Sequence, residues 1–322
     1  MRKQTVKRVG VILMSAMLAV SALSGCSGGK KEYPSQDINI VVPVKAGGDT
    51  DVYARILAQH MEKELGVSVA IKNVDGASGT IGSREVYNAK NDGYTGVFFH
   101  ASSILSQITG TTDLDLLDYT IIGVPVVDQT ATLVVPASKY KDFDDFVEKA
   151  KSGQEIVASV AQGTYSQLAC VLFEKQMGLK FKYVDSTSAA DRIADMLAGR
   201  IDLFFSQYGA VSQYIESGDF VSLGVMSDER NDFFPDIPTF KEQGADISMD
   251  KIFYFAFPPK ADPAVVNRFS EALKKAIDNP ECVEAFAKYY VKPSYMSPED
   301  SVKLLTEAKE LYEQFGPELK GE

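Results

Sequence analysis

INIVVPVKAGGDTDVYARILAQHMEKELG, residues 38–66, decides how the chain is read. Ile38, Ile40 and Val42 alternate into Pro43 and predict a strand, which breaks at Val44-Lys45-Ala46-Gly47-Gly48. A helix follows, with Thr50 or Asp51 as its N-cap and Tyr53, Ile56, Leu57, Met61 and Leu65 spaced for one buried face. A strand, a Gly-Gly loop and a capped helix present free backbone N–H groups at the positive end of a helix. Such an end favours an anion by about 0.3–1 kcal/mol, and by up to ~2 when shielded from water. The same residues also read as a tight strand-to-helix turn that needs glycine only for its geometry.

Moving outward, the unit recurs. Residues 67–74 form a second strand, and Gly76, Gly79 and Gly82 punctuate the loop DGASGTIG before a helix over 81–89. That G-x-x-G-x-x-G spacing is not the dinucleotide fingerprint. Asp92-Gly93 turns into a third strand over 94–99, which ends in His100-Ala101-Ser102-Ser103. Strands alternating with helices predict a mainly parallel sheet, whose ligands collect at the carboxyl ends of the strands. The 44–51 and 100–103 loops both lie at such ends.

Before this body comes a targeting segment. Arg2, Lys3, Lys7 and Arg8 precede an apolar run over 9–22, too short for a comfortable membrane span. Leu23-Ser24-Gly25-Cys26 then looks like a bacterial lipobox. Residues 1–25 read as a lipoprotein signal peptide and Cys26 as the lipidated start of the mature chain. Residues 26–35 read as a flexible tether, since SGGKKEYPS cannot build a core. The mature protein is expected outside the cytoplasm, held to the membrane by acyl chains such as palmitate.

Composition fits a soluble body, at 45% hydrophobic and 24% charged residues. The net charge of −11 includes the four basic signal residues, so the mature chain stands near −15. An acidic surface argues against nucleic acid and makes any anionic ligand depend on local geometry. Cys170 and Cys282 read as buried, unpaired thiols, and His60 and His100 lack ligand-spaced neighbours. Asp49 and Asp51 form a D-x-D with no evident third ligand, so neither metal nor cofactor is expected.

Further on, residues 120–136 read as strands crossing into a second lobe, with a helix over 143–151 and a strand over 156–160. Gln162-Gly163-Thr164-Tyr165-Ser166 leads into the apolar helix ending near Gly178, again clustering hydroxyls and N–H groups at a helix start. In the bland reading these are turn formers. A strand over 181–184 precedes a helix over 189–197, with Ile193, Met196 and Leu197 inward. A strand over 202–207 delivers Ser206 and Gln207 to the cleft side, and residues 222–226 form the next. IFYFAFP, over 252–258, returns as a strand to the first lobe. Pro263 opens a helix whose Val265, Val266, Phe269, Ala272, Leu273, Ala276 and Ile277 are core. The last helix is capped at Ser297-Pro298-Glu299-Asp300, with Val302, Leu305, Ala308, Tyr312 and Phe315 inward.

VVPVKAGGDTDVYARILA and NVDGASGTIGSREVYNAKNDGYTGVFF resemble the extracytoplasmic solute receptors of the tripartite tricarboxylate transporters, the Bug family. The likeness continues at AQGTYS (161–166), DMLAGRID (195–202), PDIPT (235–239), EQG (242–244) and FPP (257–259), and so spans residues 38–322. Two departures stand out. Asp185-Ser186-Thr187-Ser188 replaces the usual Pro-Tyr-Lys-Gly, and Lys45 stands where Phe-Pro-Pro is common.

The resemblance implies an α/β, two-lobed periplasmic-binding-protein-like fold of type II. Its mainly parallel sheets are flanked by helices and joined by a hinge of crossing strands. Lobe 1 would take residues 36–130 and 254–322, and lobe 2 residues 131–253. A monomer would capture a small carboxylate (a di- or tricarboxylate, or an aromatic acid) and hand it to integral-membrane permease subunits. Gly47 and Gly48 would admit the ligand to the backbone beside Lys45 and Ala46, with Thr50 and Asp51 starting the helix. Ser102, Ser103, Gln162, Gly163, Thr164, Ser166, Ser206 and Gln207 would complete the site. A sensor feeding a two-component system is the alternative. A hydrolase is disfavoured: Ser138 and Lys141 form an S-x-x-K pair in a turn, without K-T-G, and G-x-S-x-G is absent.

Overall fold

The computed structural model describes residues 32–186 and 188–321. The signal peptide, Cys26 and most of the tether therefore lie outside the described residues. The tether also ends sooner than residue 35. The Tyr33 hydroxyl donates to the Gly93 carbonyl at 2.8 Å and its ring packs on Tyr94, an aromatic contact that anchors the segment.

Strands β1 (Ile38–Val42), β2 (Val69–Asn73) and β3 (Thr95–His100) pair in parallel, connected through helices α1 (Asp49–Leu65) and α2 (Thr80–Tyr87). Helix α3 (Ser102–Ile108) leads to β4 (Thr120–Asp128), and the chain then crosses at residues 129–130 to β5 (Ala131–Pro136). The second lobe runs through α4 (Phe143–Lys151), β6 (Val157–Val160), α5 (Tyr165–Met177), β7 (Lys182–Asp185), α6 (Ala189–Leu197), β8 (Phe204–Gln207), α7 (Tyr208–Glu216) and β9 (Phe220–Val225). Strand β10 (Lys251–Phe257) returns to the first sheet, giving the order β2-β1-β3-β10-β4 with β10 antiparallel to both neighbours. In the second lobe β5 lies antiparallel between β8 and β9, while β6 and β7 pair in parallel and meet β8 through a bridge from Ala158 to Leu203. The first sheet is thus mixed, because its two crossing strands run against each other.

Helices α8 (Pro263–Ile277), α9 (Pro280–Ala287), α10 (Pro298–Glu313) and α11 (Gly316–Lys320) end the chain. One face of the first sheet packs Ile38, Ile40, Phe253, Phe255 and Phe257 against α1 and α8. The other face carries Val41, Phe99 and Tyr254 into a core that continues through Tyr312 and Leu319 to Leu133, Phe173 and Phe205 of the second lobe. Burial on both faces explains why β10 reads as an unbroken apolar run. The C-terminal helices tie the lobes together: Gln167 donates to the Leu319 carbonyl at 3.1 Å, and Lys175 pairs with Glu318 at 2.9 Å. Cys170 and Cys282 are free and buried in separate cores.

Four local expectations need correction. Leu197 is 53% exposed and Val302 42% exposed, where both were expected inward. The buried stripe of α6 follows Ile193 and Met196, which leaves Leu197 a further 100° round the helix. In α10 the stripe runs Ser301, Leu305, Ala308 and Tyr312, because the Ser301 hydroxyl accepts the Val124 amide of β4 at 2.8 Å. Residues 100–103 are not a loop: His100 ends β3, and α3 starts at Ser102. Helix α7, directly after β8, has no counterpart in the sequence reading.

Candidate functional site

The carboxyl ends of β1 and β3 in one lobe face those of β6 and β7 in the other. The opening loop is closed by its own acid. The N-cap of α1 is Gly48, not Thr50 or Asp51; the Asp51 carboxylate reaches back to accept the Gly47 amide at 2.9 Å. Arg55 and Asn73 hold the other Asp51 oxygen, at 3.0 and 2.9 Å. Burial alone would push the Asp51 carboxyl up, but the bonds from Arg55, Gly47 and Asn73 outweigh it and hold the group below its ordinary range.

Gly47 has φ +90, a conformation that favours glycine, whereas Gly48 has φ −82. A Cβ on either would meet no protein atom within 4 Å. The space in front of this loop is therefore open, and Lys45, Ala46, Gly47 and Gly48 are exposed. Thr50 is buried, its amide donating to the Asp49 carboxylate at 2.7 Å.

Across the cleft, the 161–166 segment is tied in the same manner. Gln162 donates its amide to Asp185 at 3.2 Å, and Gly163 to the Gln167 side chain at 2.8 Å. The Thr164 hydroxyl caps the Ala161 carbonyl at 2.7 Å, and Ser166 accepts the Ala161 amide at 3.0 Å. The lobes meet here directly. Ser102 accepts the Tyr165 amide at 2.9 Å, Ser78 donates to the Gln162 carbonyl at 3.0 Å, and Ser106 to the Gly163 carbonyl at 3.4 Å. Ser103 donates to the His100 carbonyl at 3.3 Å and receives the Tyr254 hydroxyl at 3.1 Å. Many donors that the sequence suggested were free thus have acceptors within the chain. Ser206 is buried opposite Thr132 on β5, and Gln207 caps α7 with its Nε2 buried and unpartnered among the described residues.

Of three charged or titratable groups here, Lys251 and Arg192 escaped the sequence reading, which named His100 only at the end of the third strand and as lacking ligand-spaced neighbours. Lys251, at the start of β10, pairs with Asp49 at the start of α1; their side chains are 11% and 23% exposed. Burial pushes Asp49 up, but the charge and hydrogen bond of Lys251, with the Thr50 amide, overcome it, and the carboxyl titrates below its ordinary value. Burial and the Lys251 charge hold His100 well below its usual range, so the ring is neutral. Its Nδ1 accepts the Ser102 amide at 3.3 Å, which puts the ring proton on Nε2. The third is Arg192 on α6, which donates to the Ser186 carbonyl at 2.9 Å and lies over the Phe204 ring at 6.0 Å. A lone lysine opening an apolar strand was a readable signal for Lys251. ADRIADML offered none for Arg192.

Among the described residues, no cluster of three or more His, Cys, Asp or Glu side chains is placed to hold a metal ion. Asp49 and Asp51 face different partners, Lys251 and Arg55.

A family model described as the tripartite tricarboxylate transporter family receptor matches residues 53–315. Protein BugT of Bordetella pertussis is 28% identical over 280 residues, covering 84% of this chain and 85% of that protein. The structure of the periplasmic binding protein BugD superposes with a TM-score of 0.81 at 25% identity, over 89% of this chain and 98% of that one. MatC from Rhodopseudomonas palustris with bound malate shares the fold, with a TM-score of 0.78 at 20% identity over 88% of this chain and all of that one.

Proposed function

The chain belongs to the tripartite tricarboxylate transporter receptor family, and from that membership we propose that it captures a small carboxylate between its lobes for a membrane permease. The observation that carries this reading is the meeting of two strand-loop-helix units across the cleft, where Ser102 holds the Tyr165 amide. Residues 36–130 and 254–322 would move as one lobe and 131–253 as the other, closing about the crossing strands. The protein would act as an extracytoplasmic monomer without catalysis, and Cys26 would carry the lipid anchor.

In this reading the ligand enters over the open face of Lys45, Ala46, Gly47 and Gly48, beside Thr50 and Asp51. It then exchanges with the internal acceptors of the Ser102, Ser103, Gln162, Gly163, Thr164 and Ser166 segments. Ser206 and Gln207 line the second-lobe side.

Calorimetric titration of the body from Lys30 onward with malate, succinate, citrate, adipate and benzoate tests this reading. Saturable binding of at least one acid is expected, and no heat with any of the five would sink it. Gly48→Leu supplies the site control. Since a Cβ at Gly48 meets no protein atom within 4 Å, the variant should fold, with a loss of about 1 kcal/mol for the poorer helix cap, yet bind at least 10-fold more weakly. Undiminished affinity would remove the opening loop from the site. Separately, Cys26→Ala should move the protein from the membrane fraction to the soluble one, or leave its signal uncleaved. Normal processing and retention would refute the anchor.

A further inference from the structure

Helix α6 and the ends of β6 and β7 hold a group of buried polar atoms without partners among the described residues. Ser159 is fully buried on β6 and Ser186 is 8% exposed at the end of β7. Neither hydroxyl has a hydrogen-bond partner among the described residues, and neither does the buried Nε of Arg192. These atoms share one face of the lobe. Val157, Val184 and Phe204 belong to the cluster formed with Ile193 and Met196 of α6. Strand alternation puts Ser159 with Val157, and Ser186 with Val184, on that same face. Arg192 is fixed there by its bond to the Ser186 carbonyl and its seat over Phe204.

Leaving three such groups without partners is costly, because each gives up its hydrogen bonds to water, and the charged one gives up most. Among the described residues no carboxylate pairs with Arg192. Arg192 as a whole is half-buried, although its Nε is buried. Two hydroxyls and a fork-shaped cation on one wall match the planar, two-oxygen geometry of a carboxylate.

We propose that Arg192, Ser159 and Ser186 form the subsite that receives a carboxylate group of the ligand. Asp49, Asp191 and Asp185 act on Arg192 by charge alone, Asp49 from the facing lobe. The Ser186 carbonyl that Arg192 holds lies one residue beyond Asp185, which accepts the Gln162 amide of the 161–166 loop, so the arginine stands at the cleft end of the strands.

The assignment rests on the carboxylate-receptor reading, and one set of titrations separates the two. Malate, succinate, citrate, adipate and benzoate are titrated into wild type, Arg192→Gln, Arg192→Lys, Ser159→Ala and Ser186→Ala, with thermal unfolding of each. For an acid that wild type binds, Arg192→Gln should weaken affinity by about 10- to 100-fold, the loss of a charged hydrogen bond. Arg192→Lys should fall between, and each serine variant should lose about 3-fold or more. Affinity within 2-fold of wild type in folded Arg192→Gln overturns the subsite and leaves the receptor reading standing. Should Arg192→Gln fail to fold, undiminished binding by both serine variants overturns the subsite equally. Wild-type protein that binds none of malate, succinate, citrate, adipate and benzoate overturns both.

Discussion

Replacing Lys251 with methionine is expected to lower the unfolding free energy by about 3 kcal/mol at pH 7, the low end for breaking a buried ion pair. The low end applies because the Asp49 side chain keeps 23% of its surface exposed. In wild type the Asp49 carboxyl titrates below its ordinary value, so the pair contributes fully above the unfolded value of 3.8. That contribution is lost as pH falls through the depressed folded value. Without Lys251 the sign reverses: burial then raises Asp49, ionisation becomes a penalty, and protonation relieves it. The stability gap between wild type and Lys251→Met should therefore narrow between pH 7 and pH 4. Urea unfolding at the two pH values measures this. Adding Asp49→Asn to Lys251→Met should recover more than half of the loss at pH 7. A gap that stays constant with pH would show that Lys251 acts through packing on the Phe253 ring, which it approaches at 5.1 Å, and not through Asp49.

The second large effect lies in the other lobe. Phe173→Ala should cost about 4 kcal/mol, the middle of the range for emptying a buried aromatic site. Phe173 is fully buried, and rings of Phe143, Phe146, Phe181, Phe205 and Phe240 surround it at centroid distances of 5.3 to 6.3 Å. Five rigid neighbours from four segments of the chain cannot all collapse into the void, so most of the cavity should persist. The same helix presents Tyr165 and Ser166 to the cleft, and the variant should also lose binding of any acid that wild type holds. Equilibrium unfolding and titration of the same sample check both effects. A loss below 1 kcal/mol would mean that the aromatic cluster repacks.

Much of the architecture was legible because it is periodic. The alternation of Ile38, Ile40 and Val42, the apolar run of residues 252–258 and the helical spacing from Val266 to Ile277 each encode a face to be buried. The errors fell where a single tertiary bond overrode the period. Ser301 displaced Val302 from the interior by holding the Val124 amide, and Asp51 moved the helix cap to Gly48 by closing on Gly47. A periodic pattern averages over a face, and one buried hydrogen bond selects a residue within it.

The sequence by itself determined the two-lobed α/β plan, the strand-loop-helix units that line the cleft, and the family to which those ordered blocks belong. Only the tertiary structure decided which polar groups of the cleft are already satisfied and which are not. The Gln162 amide turned out to be held by Asp185, and the Tyr165 amide by Ser102. Asp49 found Lys251 some 202 residues away, whereas Ser159, Ser186 and Arg192 have atoms left unpaired among the described residues. The reason is physical: apolar burial follows local spacing, but hydrogen bonds and charges are paired through space, between segments whose distance along the chain carries no information about their contact.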